Sequence, residues 1–424
     1  MVAALETIPE RIGETVLRRV ERDDPVNAQF VGLYADAYTA LDLGDQEKRE
    51  RFERRLRETA EEQNTVRIAA YRNGTLVGAM KWFDFTMRLR DRDVLAGGLG
   101  SVAVALDARR RGIGHDLVRA FIETYHGRGA TIALLHPFRH DFYYAFGFGH
   151  GTKMNEFRLS PQTLPARGDP TVVRQVGSES AGAIASCYER VRVKGNGLIV
   201  TPPEEFVRQL DDPTLRAFAA VHDGAVSGFI FARPFVEHAQ NPNTNALRVF
   251  EPMAETPDAL LALLAFLRGL GDQFRAIVIQ TQNDAFYLVP SDARNGSGRI
   301  VQPPAYHETN VQGAGVMYRV LDPREVFAAF GGRSGGALRV VFDIDDPFLA
   351  GGGISRELAF DDGGPPALAR LTLGVAEFSS LAVGSVGLRS LYELGLAGIS
   401  DPAAVHRVDR ALAAPSPPLC TTRF

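Results

Sequence analysis

The chain has little cysteine and no marked excess of either charge, and both shortages narrow what it can be. Its two cysteines, Cys187 and Cys420, stand far apart and form no CxxC or Cys/His zinc spacing. Neither a disulfide scaffold nor a structural zinc site is therefore expected. Lys and Arg number 47 against 51 Asp and Glu, a formal net charge of −4. A nucleic-acid binder needs a basic surplus to meet phosphate charge, so no such partner is expected. No apolar run approaches the roughly 18–20 residues of a membrane-spanning helix. The opening MVAALETIPERIGETVLRRVERDD lacks the apolar core of a secretory leader. The chain reads as soluble and cytoplasmic.

What is present is globular material. The 424 residues are 45% hydrophobic and 23% charged, enough for two to four domains of about 100–200 residues. The stretch NAQFVGLYADAYTALDLG spaces apolar residues three to four apart, and DQEKRERFERRLRETAEEQ continues as a charged amphipathic run. Val26 to Gln63 thus reads as two helices, broken near Gly44 and restarted by Asp45 as N-cap. Asn73-Gly74 between two strand-like runs signals a hairpin. A strand from Gly98 to Leu106, a glycine turn, the helix HDLVRAFIETYHGRG and the buried strand ATIALLHP follow. AAYRNGTLVG (Ala69 to Gly78) is echoed by AAVHDGAVSG (Ala219 to Gly228), with similar elements around it, which points to an internal duplication. After Val311 the texture changes, and GVMYRVLDPREVFAAF and later segments read as a third domain. The Pro-rich piece Pro415 to Pro418 should carry the last six residues away from the final helix in extended form.

The stretch GGLGSVAVALDARRRGIGHDLVRAFIE carries the chemistry. A strand runs into Arg109-Arg110-Arg111-Gly112-Ile113-Gly114 and then into a helix. Glycines admit an anion close to the backbone, a helix start offers free N–H groups, and arginines add charge-assisted donors. A phosphate-bearing cofactor suits this arrangement; a solvated basic turn capping a helix is the plain alternative. The run matches neither GxxxxGK[ST] nor GxGxxG.

Arg109-x-x-Gly112-x-Gly114 at a strand-to-helix junction resembles motif A of the GNAT acetyltransferases. The run Tyr143-x-x-Phe146-Gly147-Phe148-Gly149, downstream of Pro137, resembles the enhanced intracellular survival (Eis) family within that group. The resemblance implies an α/β (α+β) chain with two tandem GNAT-like domains, the second degenerate, followed by a sterol-carrier-protein-like C-terminal domain. The expected divisions are 1–155, 156–300 and 301–424. It implies an acetyl-CoA-dependent N-acetyltransferase acting on primary amines by direct attack in a ternary complex. Aminoglycoside-like polyamines or lysine side chains would be the acceptors, and a homo-hexamer the assembly. A non-catalytic carrier of an apolar ligand in the third domain is the alternative of a different class.

Carried over residue by residue, Val102, Ala103 and Val104 would line the pantetheine arm. Arg109, Arg110, Arg111, Gly112, Ile113 and Gly114 would cradle the pyrophosphate. Tyr143 would be the general acid, although by itself it could equally pack against Phe146. Tyr144 should point elsewhere if the segment is extended. The terminal carboxylate of Phe424 would be the general base, with Arg423 beside it a charge of undecided effect. Asp36, Asp42, Phe83, Asp84 and Phe85 would form the amine site, each of them open to a structural role instead. Alternation should put Phe83 and Phe85 on one face and Trp82 and Asp84 on the other. His136 and His140 are separated by a helix-breaking proline, so no metal is expected. The second copy of the turn offers Glu251 and Glu255 where arginines and glycines should face a pyrophosphate, so that copy should not bind acetyl-CoA.

Overall fold

The structure is a computed structural model that describes residues 8–59, 64–237, 240–241, 244–302, 306–331, 337–349, 353–360 and 367–424. The chain falls into two compact units. One holds Met1–Gly151, Val316–Pro418 and Thr422–Phe424; the other holds Thr152–Gly315 and Leu419–Thr421.

In the first unit the predicted helices are Val26–Ala37 and Gln46–Glu58, with a short 3-10 turn at Thr39–Leu41 between them. Asp45 caps the second helix by accepting from the Lys48 backbone N–H, as its position suggested. The expected continuation to Gln63 lies outside the described residues. The hairpin strands Thr65–Arg72 and Thr75–Leu89 turn at Asn73 and Gly74, both at positive φ (50° and 77°), the backbone that a two-residue hairpin requires.

These strands belong to an eight-stranded sheet. Its order is Arg11–Ile12, Thr15–Arg19, Thr65–Arg72, Thr75–Leu89, Arg92–Val104, Ile132–Leu135, Met317–Val320 and Gly149–His150. Arg92–Val104 and Ile132–Leu135 run parallel, joined by the helix Ile113–Gly127. That helix packs its apolar face on the sheet, where Trp82 stands edge to face with both Phe121 and Tyr125 and all three are fully buried. Each such ring contributes about 2–3 kcal/mol through the surface it removes from water. Met317–Val320 comes from the segment read as opening the third domain, yet it adds a strand to this first sheet. An apolar run shows that a strand forms, not which partner it takes.

The remainder of this unit carries a four-stranded sheet, ordered Gly353–Phe360, Leu338–Asp345, Ala367–Gly374 and Ala397–Ile399. The helices Val375–Val383, Leu388–Glu393 and Val405–Leu412 accompany it. Phe327, Phe330, Phe342 and Phe378 form its aromatic core. Arg90, buried and stacked on Phe330, donates to the carbonyls of Leu381, Ala382, Leu412 and Ala413. Those are carbonyls at two helix ends, left over by helical geometry and satisfied here by one guanidinium.

The second unit repeats the first unit's plan. Its seven-stranded sheet runs Val311–Ala314, Lys153–Leu159, Ala276–Thr281, Asn245–Ala254, Ala225–Val236, Arg216–His222 and Val173–Val176. The duplication seen in sequence extends to irregularities. One ladder slips between Ala70 and Tyr71 and its copy between Ala220 and Val221. The next slips between Ala79 and Lys81, and its copy between Phe229 and Phe231. Each pair is offset by 150 residues (229 − 79 = 150), so both bulges were copied with the fold.

Candidate active site

The site forms where two parallel strands part company. Pairing between Arg92–Val104 and Ile132–Leu135 stops at Leu99 with Leu135. On the other side of the long strand, Ala103 pairs with Ala79 and Gly100 with Lys81, so Ser101 and Val102 together face Met80. Ser101 takes φ of 50° to form this bulge. Bulges bend a strand and re-aim its groups. The result is a cleft of about 210 Å3 lined by Tyr38, Gly100, Ser101, Val102, His136 and Tyr143, with Leu99, Pro137 and Phe138 around them.

The glycines of Gly97-Gly98-Leu99-Gly100 shape its floor. A β-carbon at Gly97 would meet the Tyr125 ring, one at Gly98 would meet Phe85, and one at Gly100 would lie 3.0 Å from both Phe83 and Phe424. Aromatic rings can lie flat on this strand only because side chains are missing from it.

Tyr143 is buried at the cleft, in contact with Phe142 and Phe148. Burial, with a smaller push from Tyr38, raises its phenol well above the usual range, so it holds its proton. Its segment is not extended: His140–Tyr144 is a short helix, closed by Gly147 at φ of 81°. Tyr144 does point elsewhere, exposed and donating to Glu377. Tyr38 donates to the Val102 carbonyl at 2.8 Å, and burial pushes its own phenol up to about 12.

Phe424 reaches the same strand end. Its ring stands edge-on to Phe83 and Phe85, at 5.5 and 5.1 Å, and 4.8 Å from His136. Phe83 and Phe85 stack on each other at 5.5 Å, which is the one-face placement that alternation required. His136 lies 3.4 Å from the Thr422 carbonyl. Desolvation by the surrounding packing lowers its pKa; that contact opposes the shift and Arg423 adds to it. Arg423 is itself exposed.

The turn after the strand has the form an anion needs. Arg109, Arg110, Arg111 and Gly112 are exposed, Arg110 at φ of 63° and Gly112 at 81°, and Gly112 is the N-cap of the helix Ile113–Gly127. Space beside Gly112 is open to at least 4 Å. Exposed backbone, the positive end of a helix and three guanidinium groups fit a pyrophosphate. Val102 and Val104 are half-buried beside the cleft, whereas Ala103 and Ile113 turn into the core. Gly114 lies under Phe142, 3.5 Å from where its β-carbon would be.

The expected amine-site carboxylates are scattered. Asp36 is exposed on the first helix; Asp42, at φ of 49°, pairs with Lys48. Asp84 is gripped by both guanidinium nitrogens of Arg128, at 2.6 and 2.7 Å, and accepts from Tyr125. Its charge is compensated on the spot. Arg128, whose own pKa is raised chiefly by that bond, carried no signal in the sequence. Tyr38 and Gly100 went unread too, although a glycine run inside a strand does mark close approach. Among the described residues no group of three or more His, Cys, Asp or Glu is gathered to hold a metal ion.

The second copy of the turn is built differently. Thr256 caps the helix Pro257–Gly269 through the Ala259 N–H, and Glu255 is bound by Arg190 and Lys194. Glu251 belongs to the strand Asn245–Ala254 rather than to the turn, and it bonds Thr281 and Gln282. Neither acidic residue therefore faces an open phosphate cradle as read from sequence; both are taken up by local partners.

Comparison with known proteins agrees with this geometry. A family model described as an acetyltransferase (GNAT) domain matches residues 28–151, and one for a sterol carrier protein domain matches residues 323–421. The N-acetyltransferases Eis of Mycobacterium tuberculosis and Mycobacterium bovis are 28% identical over 245 residues. That alignment covers 54% of this chain and 59% of theirs, so the chain spans under two thirds of the relatives it matches. Among solved structures, Eis1 from Mycobacterium abscessus superposes with a TM-score of 0.73 at 18% identity, over 96% of this chain and all of the other. GCN5-related N-acetyltransferases from Anabaena variabilis (0.75, 14%, 96% and 100% covered) and Kribbella flavida (0.71, 22%, 97% and 100%) share the fold.

Proposed function

We propose that this chain, which carries a GNAT domain at residues 28–151 and is 28% identical to Eis N-acetyltransferases over 245 residues, is an Eis-like enzyme that transfers acetyl from acetyl-CoA to a primary amine at the cleft beside Ser101. The observation that carries the reading is the parting of two parallel strands beside a bulge, with Tyr143 and Phe424 at the opening and the Arg109–Gly114 turn following the same end of the bulged strand.

Acetyl-CoA brings a thioester-activated acetyl group. The exposed turn from Arg109 to Gly114 holds pyrophosphate charge, and the strand from Val102 to Val104 lies along the pantetheine arm. The Phe424 carboxylate, in the chain as it ends here, takes a proton from the acceptor amine as nitrogen bonds to the acetyl carbon. As the carbon–sulfur bond breaks, Tyr143 gives its proton to the departing thiolate and regains one from solvent. Burial that keeps the phenol protonated suits it to this role.

The acceptor we propose is cationic and amine-rich, an aminoglycoside-like polyamine or a lysine side chain. Phe83 and Phe85 supply its apolar wall, and Asp36, exposed on the first helix, attracts it from the surface, whereas the charge of Asp42 is taken up by Lys48. Asp84, held by Arg128, orders the strand that carries both phenylalanines. The working protein is a cytoplasmic hexamer, and its second GNAT-like copy does not bind acetyl-CoA. Incubation with acetyl-CoA and a panel of polyamines and lysine peptides, read by mass spectrometry, tests the reading. Addition of acetyl groups to at least one amine is expected; no acetylated product from any of them contradicts it.

A further inference from the structure

The duplication aligns Ser101 with Glu251 (101 + 150 = 251), and the two copies have parted at that position. In both, the parallel ladder ends just before it, at Leu99 with Leu135 and at Val249 with Ile279. In the first copy the strands then open into the cleft. In the second, the Glu251 carboxylate accepts from the Thr281 hydroxyl at 2.7 Å and the Gln282 N–H at 2.6 Å. It stitches the two strands together where the first copy is open.

Gln282, fixed at its backbone by Glu251, turns its side-chain amide to the chain's own tail. Its nitrogen donates to the Cys420 carbonyl and its oxygen accepts from the Cys420 N–H at 3.1 Å. One residue earlier, the Leu419 N–H donates to the Asn196 carbonyl at 2.8 Å. The Leu419 side chain packs against a cluster containing Tyr188, Phe206 and Phe229. A primary amide that reads both the N–H and the C=O of one peptide residue reproduces a strand pairing with side-chain atoms. Cys420 is buried in this socket.

We infer that the closed slot of the second copy is a receptor for residues 419–421, and that Gln282 is a positioning residue which, by fixing Cys420, sets the reach of the Phe424 carboxyl four residues on. The positioning half rests on the acid–base reading given above; the receptor half does not. An unheld tail of twelve residues after the helix Val405–Leu412 would sample many positions for its end. Two amide bonds and one apolar anchor remove most of that freedom. The second copy then acts by holding residues 419–421 of the tail.

The test uses the full-length protein and its Gln282→Ala and Gln282→Asn variants. Timed alkylation with iodoacetamide, read by peptide mapping, reports Cys420 and Cys187 separately. Cys420 should be modified at least tenfold faster in Gln282→Ala, while an unchanged circular dichroism spectrum shows that the fold is intact; Cys187, in the cluster that Leu419 covers, is followed alongside it. An unchanged Cys420 rate overturns the receptor. In parallel, kcat should fall at least tenfold with KM for acetyl-CoA unchanged, and added formate, a small carboxylate, should restore turnover in a concentration-dependent way. Gln282→Asn, with a shorter amide, should stand between wild type and Gln282→Ala. A freed Cys420 with unchanged kcat overturns the positioning role. If wild type turns over no amine, the acetyltransferase reading fails, and the Cys420 rates still decide the receptor.

Discussion

The carboxyl carbon of Phe424 lies 3.0 Å from the point where a β-carbon on Gly100 would stand. The last residue of the chain therefore rests where the strand has no side chain, at the end of the parallel ladder. A methyl group there presses on both the carboxyl and the Phe83 ring, which is equally close, and both must give by a few tenths of an ångström. Gly100→Ala is expected to lower kcat about tenfold or more, with acetyl-CoA affinity within twofold of wild type. Overpacking of this kind costs on the order of 1–3 kcal/mol if the neighbours cannot yield. Initial rates and calorimetric titration of acetyl-CoA check it; unchanged kcat would mean that the carboxyl's place is immaterial.

A chain lengthened by a few glycines after Phe424 makes the complementary test. The ring can stay against Phe83, Phe85 and His136, but the carboxylate becomes a peptide carbonyl and cannot accept a proton at neutral pH. Turnover should drop at least tenfold, with little change in thermal stability by calorimetry. Full activity in the lengthened chain removes Phe424 as the base.

The turn can be tested without turnover. Arg109→Glu with Gly112→Asp reverses one charge, adds another, and puts a side chain at φ of 81°, a backbone that costs a residue with a β-carbon about 1–2 kcal/mol. Binding of coenzyme A, followed by calorimetry, should be lost while the fold persists by circular dichroism. Retained binding would place the pyrophosphate elsewhere.

Glu251 supplies a pH prediction. Burial raises its carboxyl from the ordinary 4.5 to about 7, against the lowering effect of the bonds from Thr281 and Gln282. The folded protein thus binds this proton more tightly than the unfolded chain does. The group imposes no cost below pH 4.5; stability is lost as pH rises from there to about 7, by on the order of 3 kcal/mol. Glu251→Gln keeps the acceptor oxygen and removes the charge. Its Tm should exceed that of wild type at pH 8 and match it near pH 5. An equal difference at both values would show that ionisation plays no part.

Sequence was a good guide wherever the signal is local. Asp45 as N-cap, Asn73-Gly74 as a turn and Arg109–Gly114 as a strand-to-helix junction are each decided by a few adjacent residues, and each stands as read. The repeat at Ala69 and Ala219 was legible for the same reason, but the shared bulges were not. What failed depends on partners distant in the chain. Met317–Val320 joins the first sheet, Arg128 neutralises Asp84, and Gln282 holds Cys420. The helical form of His140–Tyr144 was missed because five residues carry too little periodicity to reveal it.

The most direct measurement is the release of coenzyme A thiol by wild type and Tyr143→Phe at saturating acetyl-CoA and amine. Phenylalanine preserves the ring contacts with Phe142 and Phe148 and deletes only the hydroxyl. A positioned acid is worth about 10²-fold or more, so the variant should turn over at least a hundredfold more slowly while binding acetyl-CoA as wild type does. Equal rates for the two proteins would contradict a proton passing from Tyr143 to the leaving thiolate.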